Sequence, residues 1–247
     1  MTLVIHHAAL SDAGRVRTEN QDSWCADGQQ GLYIVADGMG GGFAGGLAAR
    51  IVVETLPRLF HRRMAGVNGL TVSNAKERLL ATIVELSNRL CRESRDQFGG
   101  AQMGSTVVLM WIRGGDALVA HMGDSRAYLL RNERLQQLTA DHTIIRLLIE
   151  SGDLKPEDAA EHPARGQLTR FVGMEGEPLP EARLVQLHPH DRLLLCTDGL
   201  TGLVPDEQIR SILNQEKTAE PACHRLIIAA NEAGGHDNVT SVVLDVR

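Results

Sequence analysis

The amino-acid sequence predicts an α+β fold in which the strands pair antiparallel. Strand-like apolar runs are short and spread along all 247 residues, without the regular alternation with helices that a parallel sheet needs. Two junctions between runs, Arg113-Gly-Gly-Asp116 and Arg131-Asn-Glu-Arg134, have the length of hairpin turns. Helical periodicity is clear in only a few segments, which fits a sheet-rich fold with helices added.

The elements follow in order. The run 31–36 is apolar, and its second half, 34–36, reads as a strand ending at Asp37. Residues 44–64 open with small side chains and then carry Ile51, Val52, Leu56, Leu59 and Phe60 at helical spacing. Residues 75–97 repeat that spacing with Leu79, Ile83, Leu86 and Leu90, and Asn74 with Glu77 forms an N-terminal capping pair. Strands are expected at 105–113, 117–121 and 126–130; the first hairpin turn joins the first two, and the second follows the third. Residues 151–166 are polar and poorly patterned, as a surface insertion or a flap beside a site would be. Strands follow at 183–187 and 192–197. A helix follows Pro221 with Leu226, Ile227 and Ile228 and stops near Gly234-Gly235, and a last strand occupies 239–246. No linker or low-complexity tract divides the chain, so residues 1–247 are expected to form one domain.

Composition narrows the function. A net charge of −6 gives nucleic-acid binding no electrostatic support. Only Lys76, Lys155 and Lys217 are lysines, so an anion site here would use arginine. The four cysteines are far apart and form no Cys-x-x-Cys pair, which argues against a zinc site or a disulfide framework; Cys196 reads as a core thiol. No basic stretch precedes an apolar one near the N-terminus, and the run 107–112 is far too short to span a bilayer. The expectation is a soluble cytoplasmic protein with no membrane contact.

The stretch Val35-Ala-Asp-Gly-Met-Gly-Gly-Gly-Phe-Ala-Gly-Gly46 invites a nucleotide reading. A P-loop needs a lysine, and none precedes Lys76. A dinucleotide loop needs an acid about 20 residues on, and residues 55–76 contain no Asp or Glu. The acid itself is more informative. Asp37-Gly38, Asp198-Gly199, Gly123-Asp124 and Asp237-Asn238 each stand at the end of an apolar strand. Carboxylates gathered at strand ends repel one another unless they are protonated or bind a cation. Hard oxygen ligands select Mg²⁺ or Mn²⁺, and two such ions about 4 Å apart can activate water for in-line displacement at phosphorus. The glycines are expected to let carbonyls and waters approach the ions. Arg17, near Asp22, could grip a phosphate through two parallel hydrogen bonds.

These residues fall into an ordered set: Ser11-Asp-Ala-Gly14 with Arg17, Asn20, Gln21 and Asp22; Val35-Ala-Asp37-Gly38-Met-Gly40-Gly41; Gly104-Ser-Thr106; Gly123-Asp124-Ser125-Arg126; Leu138-Thr-x-Asp141-His142; Leu168-Thr-Arg170; Thr197-Asp198-Gly199-Leu200; and Gly235-x-Asp237-Asn238-x-Thr240. The set spans nearly the whole chain. It resembles the metal-dependent serine/threonine protein phosphatases of the type 2C (PPM) family in their compact bacterial form.

The resemblance implies a four-layer αββα sandwich, two antiparallel β-sheets flanked by helices, with a metal centre at one end. It implies that Asp37 bridges two ions, Mn²⁺ or Mg²⁺. Asp198 and Asp237 would complete one ion's ligands, the Gly38 carbonyl would help hold the other, and Asp22 would lie in the outer shell. Asp124, with Asp198, would hold a weaker third ion. Arg17 would bind the substrate phosphate, and residues 145–167 would form a variable flap. It further implies hydrolysis of phosphoserine and phosphothreonine on proteins by a metal-bound hydroxide, a cognate Ser/Thr kinase as partner, and a monomer. Two departures stand out. Met39 occupies the position where some members carry a histidine thought to protonate the leaving group, so His162 becomes the candidate acid; and Gly166 replaces a common Asn. Three rivals stay open: a catalytically dead relative that binds phosphoproteins, a serine hydrolase built on Ser125, and a switch phosphatase for one regulatory phosphoserine.

Overall fold

A computed structural model describes residues 3–40, 43–67, 69–70, 74–98 and 103–247. Gly41 and Gly42 of the glycine-rich stretch therefore lie outside the described residues. The strands are β1 (Ile5–Asp12), β2 (Asp22–Asp27), β3 (Leu32–Met39), β4 (Gly104–Ser105), β5 (Val107–Arg113), β6 (Asp116–Met122), β7 (Arg126–Arg131), β8 (Arg134–Gln137), β9 (Glu181–Gln186), β10 (Arg192–Cys196) and β11 (Val239–Val246). The helices are α1 (Phe43–Met64), α2 (Ala75–Phe98), α3 (Ile144–Ser151), α4 (Asp198–Thr201), α5 (Asp206–Gln215) and α6 (Ala219–Glu232).

The strands form two antiparallel sheets, one in the order β1-β11-β10-β7-β8 and the other β2-β3-β5-β6-β9, with β4 beside β3. Alternation along β3 shows why the sheets stack. Leu32, Ile34 and Ala36 pack with Val52 and Leu56 of α1 and Ile83 of α2, whereas Tyr33 and Val35 face Leu195 and Val242 of the other sheet. Both faces of the central strands are therefore apolar, so they read as continuous runs. On the far side, Leu194 and Val243 pack against Ala222 and Leu226 of α6. The layers run helix, sheet, sheet, helix, as the resemblance implies.

Both expected hairpins are present. Gly114 and Gly115 have φ of 62° and 92°, and Asn132 and Glu133 have 50° and 61°, so each turn twists in the sense that matches the flanking strands. The expected strand 105–113 is divided at Thr106: Gly104–Ser105 pairs with the end of β3, and Val107 starts β5. The polar segment after residue 150 is less irregular than its composition suggests. It begins inside α3, which Thr143 caps by accepting from the Arg146 N–H and which ends at left-handed Gly152. A 3-10 helix, Pro156–Glu161, follows. No described helix is long and apolar enough to cross a membrane.

Candidate metal centre

Five acids converge on one end of the sandwich, each delivered by the end of an element. Asp22 starts β2 and pairs across the ladder with Asp37 near the end of β3. Asp198 follows β10 as the first residue of α4, and Asp237 immediately precedes β11. Asp124 lies in the turn from β6 to β7, where the chain crosses between sheets.

The electrostatics are those of a cation site. Burial above all, then the charges of Asp22, Asp198 and Asp124, push the Asp37 carboxyl well above its ordinary range. Burial raises Asp22 to about 7, against the pull of hydroxyl donors on Thr240 and Thr197. It raises Asp124 to about 8, helped by Asp198, and it raises Asp198, helped by Asp237. Asp22 Oδ1 and Asp198 Oδ1 are buried without a hydrogen-bond partner. A buried carboxylate oxygen with no donor costs several kcal/mol unless a cation faces it. The donor set is all oxygen, which suits Mn²⁺ or Mg²⁺.

The backbone around the acids is fixed by hydroxyl groups that stand in the ordered motifs but whose supporting role the sequence does not show. Asp37 N–H donates to Thr106 Oγ1 at 2.9 Å, and Thr106 N–H donates back to the Asp37 carbonyl at 2.8 Å. Thr106 and Ser125 share a 2.7 Å bond. Thr197 and Thr240 hydroxyls donate to Asp22 Oδ2 at 2.9 and 2.7 Å. Asn238 accepts from Gln21 N–H and donates to the carbonyls of Ala13 and Glu19, which pins the loop that carries Arg17. The glycines permit close packing: a Cβ on Gly38 would overlap the Gly45 carbonyl, and one on Gly199 would overlap the Asn238 carbonyl.

Arg17 joins the cluster through Asp237, its Nη2 lying 2.8 Å from Oδ2, with the Arg side chain 54% exposed. His162 does not meet the carboxylates in any described contact. It ends the 3-10 helix, and its Nδ1 accepts from Ala164 N–H at 3.1 Å. Between flap and acids lies a cleft of about 390 Å³ lined by Asp124, Asp198, Arg126, Ile145, Pro156 and Arg165. A larger depression of about 920 Å³ lies at the Gly31 end of β3 and has no acid in its lining. Ser125 is 1% exposed with its hydroxyl bound to Thr106, which leaves the serine-hydrolase rival without an accessible nucleophile.

Known proteins agree with this geometry. A profile described as protein phosphatase 2C matches residues 13–233. The serine/threonine phosphatase stp of Listeria monocytogenes is 34% identical over 244 residues, covering 98% of this chain and 96% of that protein. The serine/threonine protein phosphatase PstP of Mycobacterium tuberculosis is 38% identical over 100% of this chain and 46% of its own length. The crystal structure of a PstP catalytic domain in complex with 2 manganese ions superposes with a TM-score of 0.84 at 36% identity, covering 99% of both chains. With that profile matched over most of its length and these relatives covered nearly end to end, the chain belongs to the protein phosphatase 2C family.

Proposed function

We propose that this chain is a divalent-metal-dependent protein phosphatase that hydrolyses phosphoserine and phosphothreonine. The observation that carries the reading is the cluster of Asp22, Asp37, Asp124 and Asp198, in which two buried carboxylate oxygens lack any donor. Mn²⁺ or Mg²⁺ fits that cluster. Asp37, Asp198, Asp237 and the Gly38 carbonyl would hold two ions, with Asp22 in the outer shell and Asp124 serving a weaker third. When bound, such ions supply an activated water and offset charge at phosphorus.

The chain's own residues do the rest. Arg17 exchanges its bond to Asp237 for two parallel bonds to the substrate phosphate, a move its exposure permits. Thr197 and Thr240 donate to Asp22 and orient it as an acceptor, opposing part of the rise that burial imposes on its carboxyl. The flap, residues 145–167, forms one wall of the cleft that receives the phosphopeptide, and residues 1–247 work as a single catalytic unit. Met39 cannot donate a proton, so His162, on the flap, protonates the leaving serine or threonine oxygen once the flap closes. The enzyme reverses a cognate Ser/Thr kinase and acts as a cytoplasmic monomer. The test is hydrolysis of p-nitrophenyl phosphate and of a phosphothreonine peptide with Mn²⁺, with EDTA, and by Asp198→Ala. Activity requires the metal and Asp198; turnover that survives both EDTA and the substitution overturns the reading.

A further inference from the structure

Beside the Gly123-Asp124 turn, His121, His142 and Glu181 meet with their donor atoms within 4.8 Å of one another. The two rings are buried and stack with centroids 4.6 Å apart at 19°. The trio has a zinc-like composition, but its bonds are already committed. Arg170 Nη1 stands 2.8 Å from Glu181 Oε1 and 3.4 Å from His142 Nε2, where a cation would sit. Gly123 N–H donates to His142 Nδ1 at 3.2 Å, so the ring is neutral with its proton on Nε2, and the 3.4 Å approach of Arg170 is a contact rather than a hydrogen bond. That N–H faces Glu181 Oε1 at 3.3 Å and is not free to ligate a metal.

These bonds instead make a clamp. His142 N–H donates to the Gly123 carbonyl at 3.0 Å while Gly123 N–H donates to the His142 ring, so one residue holds both polar groups of Gly123. On the other side of the turn Thr106 leaves no slack: Gly123 has φ +118°, and a Cβ there would lie 2.7 Å from the Thr106 side chain. The clamp also reaches the flap. Thr169 N–H donates to the His142 carbonyl at 2.8 Å, and Thr143 is bridged to Leu168.

We propose that His142 is a positioning residue for Asp124: by gripping Gly123 it holds the Asp124 carboxylate at the acid cluster and passes the placement of the flap base on to it. The inference rests on the reading of Asp124 as a ligand of the weaker ion. His142 touches neither substrate nor metal; its effect runs through the Gly123 backbone.

Two substitutions separate the ring's two nitrogens. In His142→Asn the amide oxygen falls near the place of Nδ1 and can still accept from Gly123. In His142→Gln the amide reaches towards Glu181 and abandons Gly123. The readout is Mn²⁺ binding to the full chain, followed by the EPR signal of free Mn²⁺, which resolves tight and weak phases without turnover. H142Q is expected to raise the midpoint of the weak phase by about 10-fold or more, the lower range for losing a group that orients a metal ligand. The tight phase is expected to stay unchanged, and H142N to stay near wild type. A wild-type weak phase in H142Q, equal weakening in both variants, or equal loss of the tight phase overturns the proposal. Should H142Q fail to fold by circular dichroism, Glu181→Ala on edge strand β9 releases the Nε2–H and frees the ring to change tautomer. E181A is expected to weaken the same phase, and an unchanged phase overturns the proposal. A single binding phase in wild type removes both this inference and the role of Asp124. No Mn²⁺ binding at all removes the metal-dependent reading itself.

Discussion

Replacing Asp22 by Asn should stabilise the metal-free protein at neutral pH, although it removes a member of the metal centre. Asp22 is 8% exposed, accepts from Thr197 and Thr240 on Oδ2, and leaves Oδ1 unpaired. Burial raises its carboxyl from 3.8 to about 7. At about 1.36 kcal/mol per pH unit, ionising it in the fold is about 4 kcal/mol harder than in the unfolded chain. The sign follows from linkage: an acid with a raised folded pKa contributes fully below the unfolded value and loses that contribution as pH rises through the folded one. The penalty is therefore absent near pH 4 and complete above about pH 7. Asn carries no such penalty but buries an amide with an imperfect partner, at a cost of about 1–3 kcal/mol. The net expectation at pH 8 is a gain of about 1–3 kcal/mol, or roughly 2–4 °C per kcal/mol for a chain of this size. Thermal unfolding in EDTA at pH 4.5 and pH 8 measures it. Saturating Mn²⁺ should reverse the order, because wild type recovers about 2.7 kcal/mol at 100 times Kd. D22N that is less stable than wild type in EDTA at both pH values refutes the reasoning, since Asp22 would then be a satisfied structural acid.

Three further outcomes are expected. Arg17→Lys keeps the charge but loses the paired bonds, so KM for a phosphopeptide should rise about 10-fold or more while the metal-free Tm stays put; an unchanged KM removes Arg17 from the phosphate site. Gly199→Ala drives a methyl into the Asn238 carbonyl and should cost about 1–3 kcal/mol in denaturant unfolding while weakening Mn²⁺ binding, because Asp237 shifts with it. Leu195→Ala opens a cavity between the sheets and should cost about 2–5 kcal/mol, yet leave Mn²⁺ affinity near wild type because Leu195 packs in the inter-sheet core rather than in the acid cluster.

What could be read from the sequence, and what could not, divides along burial. β3, β5, β10 and β11 lie inside the sheets with both faces covered; the first three are nearly continuous apolar runs, and β11 carries Val242-Val-Leu244 between buried Ser241 and Asp245. β1, β2 and β8 are edge strands with exposed polar residues such as His6, His7 and Gln136, and they carry no such run. Asp37, Asp124, Asp198 and Asp237 were legible because each stands at an apolar strand end, whereas Asp22, at the start of edge strand β2, entered the cluster only through the resemblance. Their hydroxyl supports were not: Thr240 reaches Asp22 across 218 residues, and the Arg17–Asp237 pair spans 220. No local pattern encodes such pairings. The purpose of the glycines was also hidden, because the carbonyls that crowd Gly38 and Gly199 come from other segments.

The strand order has a consequence for when this protein can become active. β11 follows every other strand in the chain, yet it inserts between β1 and β10. The first sheet thus has a gap in its interior until that strand arrives, and such non-local closure is slow. Asp237 and Asn238 immediately precede β11, and Asn238 is what ties down the Arg17 loop near the opposite end of the chain. A chain still emerging from the ribosome lacks an acid of the cluster and the anchor of its arginine together. Assembly of the acid cluster and anchoring of the Arg17 loop are therefore both tied to completion of the sheet.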